Sequence, residues 1–315
     1  MNKRLATVSI VVLILILIGY IVIDIALKKE TIQSSPAEMV VSGNSDQWVV
    51  ERTFEPGKGQ LNAVAVSENG NILLGGEPFI ACYDSVFNLQ WEFKTDMPVT
   101  ALALNGENSY AAVQGMILVF NNKGEKIDEW GPFDSNSMIT SITANEIYVA
   151  FADAANRTIF ILDKEGIVKK LIGKTEEPFI IPSFYFDVAL GNENDVIVAN
   201  TGNKRIETRN MDGKILNYFG ESGTGPESFC GCCNPAHFTV IPGGFITAEK
   251  GINRIKILDN NGGFVEFVSS VNDFVAPLPL DIASPDGKII YGANPADSKL
   301  YVFKRKYPQT PLKGG

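Results

Sequence analysis

A single histidine, His237, serves all 315 residues, so no imidazole cluster exists to build a catalytic metal centre. No G-x-S-x-G nucleophile elbow and no phosphate-cradling P-loop occurs, which removes the commonest serine-hydrolase and nucleotide-hydrolysing designs. Basic residues are in deficit: 27 Lys and Arg face 36 Asp and Glu, a net charge of −9. Beyond residue 29 the balance is 23 to 35, or −12, a field that repels phosphate backbones and excludes nucleic acid as an expected partner. No cysteine precedes Cys82, so lipid attachment at a mature N-terminal cysteine is excluded. After residue 27 glycine and proline (29 and 16 in the chain) interrupt every stretch long enough for a helix, and the chain reads as all-β.

The first 27 residues differ. Leu5 to Leu27 is apolar except for Asp24. At 1.5 Å per residue its 23 residues span roughly 34 Å, against a hydrocarbon core of about 30 Å. A cleaved secretory signal has a shorter apolar core and a small-residue cleavage site, neither of which is found. The expectation is an uncleaved signal anchor at residues 5–27, with Asp24 a tolerated charge near its outer end. Lys3 and Arg4 keep residues 1–4 cytoplasmic, and the rest lies outside an inner membrane crossed once. Residues 28–47 have a tether's Ser, Gly, Pro and mixed charge, and 307–315 form a Pro/Gly tail.

Residues 48–306 repeat. The fullest unit enters through Gly223, Gly225, Pro226, Phe229 and Pro235. Apolar runs then follow at Phe238–Val240, Phe245–Ala248, Ile255–Leu258 and Phe264–Val268, separated by glycine turns and the polar loop Glu249–Arg254. Similar units begin at Asn62, Thr100, Thr140, Phe186 and Leu280. Six copies spaced roughly 40 to 50 residues apart fit propeller blades. The last copy lacks a fourth strand, and Trp48–Phe54 has the pattern to supply it and close the ring.

The pattern G-x-G-P-x-x-F…P…G-G-F…N-R-I…G of the fifth unit, with Asn203-Lys204-Arg205-Ile206 and Asp212-Gly213 in the fourth, resembles the NHL repeat. The resemblance is good over residues 186–263, fair at Asn156-Arg157-Thr158-Ile159, and carried by periodicity alone elsewhere. It implies a six-bladed propeller of four-stranded antiparallel blades. It implies little about activity, because the motif's Asn and Arg commonly brace the blade.

In such a ring the loops between second and third strands, and those between blades, share one face. That face is expected to collect Glu77, Arg157, Asn203, Arg205, Glu249, Arg254, Asp297 and His237 as a ligand-binding surface. The competing reading gives Arg157, Arg205 and Arg254 to hydrogen bonds that tie blades together. The run Cys230-Gly231-Cys232-Cys233 departs from the NHL pattern. A Cys230–Cys233 disulfide is expected outside the cytoplasm. The alternatives are a soft-metal or redox site using Cys230, Cys232, Cys233 and His237, and inert reduced thiols; Cys82 reads as a buried free thiol. No cofactor is expected. Propeller enzymes resembling lactonases use acids near the axis, sometimes around calcium, and Glu77, Asp187, Glu249 and Asp297 are the acids available for that alternative. The expected role is recognition of a protein, peptide or glycan, with a propeller hydrolase, or an accessory to a membrane redox or metal system, as alternatives.

Overall fold

The computed structural model describes Gly19 and residues 47–306, apart from 107, 175–176, 192–194, 252–253 and 271–277. The expected anchor and tether, at residues 5–27 and 28–47, and the tail at 307–315 fall almost wholly outside them. Among the described residues no helix is long and apolar enough to cross a membrane.

Among the described residues twenty-four strands form six four-stranded antiparallel sheets. The first strand, β1 (Trp48–Phe54), belongs to the last blade. Blade one is β2 (Gln60–Val66), β3 (Ile72–Glu77), β4 (Phe79–Tyr83) and β5 (Leu89–Lys94); blade two is β6 (Val99–Asn105), β7 (Asn108–Val113), β8 (Met116–Phe120) and β9 (Lys126–Trp130). Blade three is β10 (Ile139–Ala144), β11 (Val149–Asp153), β12 (Thr158–Leu162) and β13 (Val168–Ile172); blade four is β14 (Val188–Leu190), β15 (Val196–Asn200), β16 (Arg205–Arg209) and β17 (Ile215–Phe219). Blade five is β18 (His237–Ile241), β19 (Gly244–Glu249), β20 (Arg254–Asp259) and β21 (Phe264–Ser269). Blade six is β22 (Asp281–Ala283), β23 (Ile289–Asn294) and β24 (Lys299–Arg305), completed by β1, with Phe54 opposite Leu300 and Val50 opposite Phe303. The early strand therefore closes the ring as its pattern requires, leaving no open radial edge.

Burial follows position in the blade. Middle strands such as β11 and β15 are buried along their whole length, because both faces meet neighbouring blades. Outer strands such as β9 and β13 keep four of five residues in solvent. The core is thus divided into seams, one apolar cluster between each pair of blades. The turns between third and fourth strands share a device. Asp163 accepts bonds from the N–H groups of Glu165 and Ile167, and Gly166 takes φ +79. A Cβ there would stand 2.5 Å from the Trp130 ring of the preceding blade, so both the left-handed turn and the seam require glycine.

Candidate functional site

Each innermost strand starts on the face where the second strand of its blade ends, because the two run antiparallel. That face carries an equivalent residue from every blade immediately after a buried apolar one. The pairs are Leu61-Asn62, Val99-Thr100, Ile139-Thr140, Phe186-Asp187, Ala236-His237 and Leu280-Asp281. In blades one to three the slot lies at a strand irregularity, which frees its side chain to reach the next blade.

Five of these six residues latch one blade to the next around the axis. Asn62 Nδ2 donates to Val99 O at 3.1 Å, Thr100 Oγ1 to Ile139 O at 2.6 Å and Thr140 Oγ1 to Phe186 O at 2.6 Å. Asp187 Oδ2 then accepts from Phe238 N at 2.7 Å, and Asp281 Oδ2 accepts from Val64 N at 2.8 Å, closing the circle onto blade one. Between blades five and six the link is His237 Nδ1, 3.6 Å from Asp281 Oδ1, too long for a hydrogen bond. The same nitrogen lies 3.8 Å from Asp187 Oδ2.

Three ionisable groups therefore meet at the axial mouth. Burial pushes the Asp187 carboxyl up to about 6, against bonds from Ser141 Oγ and the N–H groups of Phe238 and Val188 that favour the anion. Burial likewise pushes Asp281 up to about 8, and the nearby Asp187 charge adds to the rise. His237 is pushed down to about 4, so its ring is neutral at physiological pH. Asp187 and Asp281 line an axial cavity of about 190 Å³ bounded by the innermost strands of all six blades. Drug-sized ligands occupy roughly 300 to 1,000 Å³, so this cavity suits the tip of a side chain or a few waters.

The loop-face residues expected from sequence have varied fates. Glu249 is buried between Arg254 (Nε–Oε1 2.9 Å, Nη2–Oε2 2.9 Å) and Lys256 (Nζ–Oε1 3.1 Å). Arg254 and Lys256 both donate to Ser228 O, clamping the segment that enters blade five. Burial lowers Lys256 to about 8 despite the Glu249 charge beside it. Arg205 pairs with Glu207 at 2.7 Å and stacks on Tyr218. Asp297 accepts from Tyr301 Oη at 2.6 Å within its own blade, and the Asn203 N–H closes a turn onto Asn200 O. Glu77 and Arg157 are exposed. Of the expected set only His237 stands in the axial cluster, together with Asp187 from the enzymatic alternative. Among the described residues no group of three or more His, Cys, Asp or Glu is arranged to hold a metal ion.

The cysteine loop adjoins this cluster through aromatic contacts. Tyr185 packs edge-on to the His237 ring at 5.9 Å, and Lys250 Nζ lies 4.8 Å from the Tyr185 ring centre. All four cysteines are free, so the expected Cys230–Cys233 bond is not formed. Cys233 is instead buried with a left-handed φ of +67, while Cys232 is exposed, its thiol pKa lowered by the neighbouring Cys233 side chain and by the charges of Lys250 and Lys204. Cys82 is buried, and burial pushes its thiol up to about 11, as expected for an inert apolar thiol. Sequence reasoning passed over Asp281, although its slot is readable: every unit begins with an apolar residue followed by a polar one. It also passed over Tyr185 and Lys250, which no local motif marks.

The fold is shared with known propellers. A catalytically inactive histidine-to-alanine variant of virginiamycin B lyase from Staphylococcus aureus, with quinupristin, has a TM-score of 0.57 at 15% identity, covering 82% of this chain and 99% of that one. A protein of unknown function from Bacteroides thetaiotaomicron gives 0.63 at 14%, covering 84% and 75%. The WD40 propeller domain of Doa1 gives 0.55 at 16%, covering 78% and 80%. At such identities the likeness shows the fold alone. No family model and no curated protein matches the sequence.

Proposed function

We propose that the chain is a recognition module of the NHL kind, anchored through residues 5–27 with its propeller on the extracytoplasmic side. It holds a peptide or protein segment across the loop face. The anchor rests on the 23-residue apolar run and the basic pair Lys3 and Arg4; the NHL reading rests on the repeat pattern of residues 186–263. One observation carries the binding reading: an axial cavity of about 190 Å³ has Asp187 and Asp281 in its wall, and His237 Nδ1 lies within 4 Å of both carboxyls. The cavity is too small for a free ligand of ordinary size, yet it fits a polar side-chain tip projecting from a chain laid over the loops.

The test selects peptides from a displayed library on the purified protein, then measures their affinity for wild type and for the Asp187→Asn/Asp281→Asn double variant. A loss of about tenfold or more, the 1.4 kcal/mol scale of one good polar contact, supports the reading. Equal affinity for both proteins, or no peptide above background, rejects it.

A second reading is acid–base chemistry at the same mouth. It is favoured by one specific arrangement, a neutral histidine between two carboxyls, of which Asp187 titrates near the range where a group can both take and return a proton. The virginiamycin B lyase likeness suggests a substrate to try. Mass spectrometry of quinupristin after incubation separates the two: conversion by wild type and none by His237→Ala establishes the catalyst, and an intact compound leaves binding as the function.

A further inference from the structure

The axial carboxyls differ from the two fully buried glutamates. Glu207 is paired with Arg205 at 2.7 Å and with Arg209, and Glu249 with Arg254 at 2.9 Å and Lys256 at 3.1 Å. Asp187, only 7% exposed, is held by neutral donors instead: Ser141 Oγ, Phe238 N at 2.7 Å and Val188 N at 2.9 Å. Asp281 Oδ2 accepts from Val64 N at 2.8 Å, and its Oδ1 lies 3.6 Å from Nδ1 of the His237 ring, which is neutral at physiological pH. Among the described residues that line the axial cavity there is no Lys or Arg. Lys250 stacks on the Tyr185 ring and is not part of the wall. Burial raises both carboxyls because no cation offsets the cost of their charge.

We propose that the axial mouth takes the cationic head of an arginine or lysine from the bound segment, which supplies the charge that Asp187 and Asp281 lack within the chain. The inference rests on the peptide reading above and gives that reading a residue type. Both carboxyls lie within 4 Å of the same His237 nitrogen, so they border one small region of the mouth. The innermost strands of all six blades line the cavity, and each pairs on one side only, so backbone carbonyls along the free edges add neutral acceptors. A guanidinium with five donors, or an ammonium with three, can bond carboxylate and carbonyl oxygens together. The surroundings favour a side chain over a free ion. Ile180 and Phe184, 52% and 65% exposed, precede Asp187 on the segment that enters blade four and offer apolar contact to residues flanking the cation. Among the described residues no group of three or more His, Cys, Asp or Glu is arranged to hold a metal ion.

The test titrates the full chain with Nα-acetyl-arginine methylamide and with Nα-acetyl-lysine methylamide, and follows the NMR resonance of the His237 ring. Nα-acetyl-citrulline methylamide, the uncharged isostere of the arginine probe, is the control. At least one cation should shift the resonance saturably, and citrulline should bind about tenfold more weakly or worse. The Asp187→Asn/Asp281→Asn variant, its fold checked by circular dichroism, should lose the saturable shift. Citrulline binding as tightly as arginine on wild type overturns the charge requirement, whether or not the variant folds. No saturable shift with either cation, a shift that persists in the folded variant, or a response to calcium chloride alone overturns the site. The outcome separates from that of the peptide selection. Selected peptides that depend on the two aspartates yet contain no basic residue keep peptide recognition and sink the cation. Saturation by the arginine probe with no peptide selected keeps the cation and sinks the peptide reading.

Discussion

Blades one to three and blades four to six fill one structural slot with different chemistry. In the first half the axial latches are Asn62, Thr100 and Thr140, neutral side chains that each donate to a carbonyl of the next blade. In the second half the slot holds Asp187, His237 and Asp281, which titrate, and the two aspartates are the latches. One seam differs as well. Among the described residues the cluster between blades two and three has twelve buried members, including Tyr110, Trp130 and Phe151. That between blades four and five has five, and beside it the ion cluster of Glu249 with Arg254 and Lys256 is buried. A closed ring can be held by any latch that joins neighbours, so neutral latches in three blades leave the same slot in the other three free to carry ionisable groups. The cysteine loop and the axial carboxyls both belong to that second half.

Mutations can break or sharpen this contrast. The largest effect is expected at the polar seam: Glu249→Ala strands Arg254 and Lys256 without their anion and should cost about 3–5 kcal/mol in denaturant unfolding. A cost below about 1 kcal/mol would show that solvent reaches the cluster and that the seam is not held as described. In the neutral half, Thr140→Val leaves Phe186 O without its donor and should cost about 1–3 kcal/mol, with no change in the pH dependence of stability.

Asp281→Asn should act on that pH dependence. Its folded pKa of about 8 lies above the unfolded value, so the folded chain holds the proton more tightly. The associated stability is full below about pH 4 and is lost as pH rises towards 8. Asparagine keeps an acceptor for Val64 N, so melting curves of the variant should gain on wild type between pH 5 and about 8. Parallel curves would reject the assignment. The smallest effect should come from the exposed pair Lys170–Asp212: Lys170→Ala should leave the melting temperature unchanged within error.

The fold was legible because its signals are local and repeated. Period-2 runs, Asx-Gly turns and the pattern of Trp48–Phe54 each fix a blade or its closure without reference to distant contacts. The site was legible in part. His237 stood out as the chain's single histidine and Asp187 as an acid near the axis. Asp281, 94 residues from Asp187, joins them only when the ring closes. Glu249 and Arg254 read equally well as ligand contacts or as braces, because burial rather than residue type decides between those roles. The C-x-x-C spacing suggested a bond, but spacing does not register that Cys233 is buried while Cys232 is exposed, or that Asn234 locks the loop.

The most direct test follows the one imidazole in the molecule by NMR. With a single histidine and no affinity tag, the ring resonance of His237 needs no assignment, and its chemical shift against pH reports the axial cluster alone. The account predicts a ring that stays neutral through physiological pH and protonates near 4. Titration at the ordinary value of about 6.5 or above would mean a solvated or ion-paired imidazolium, and would contradict the buried axial cluster on which the proposed function rests.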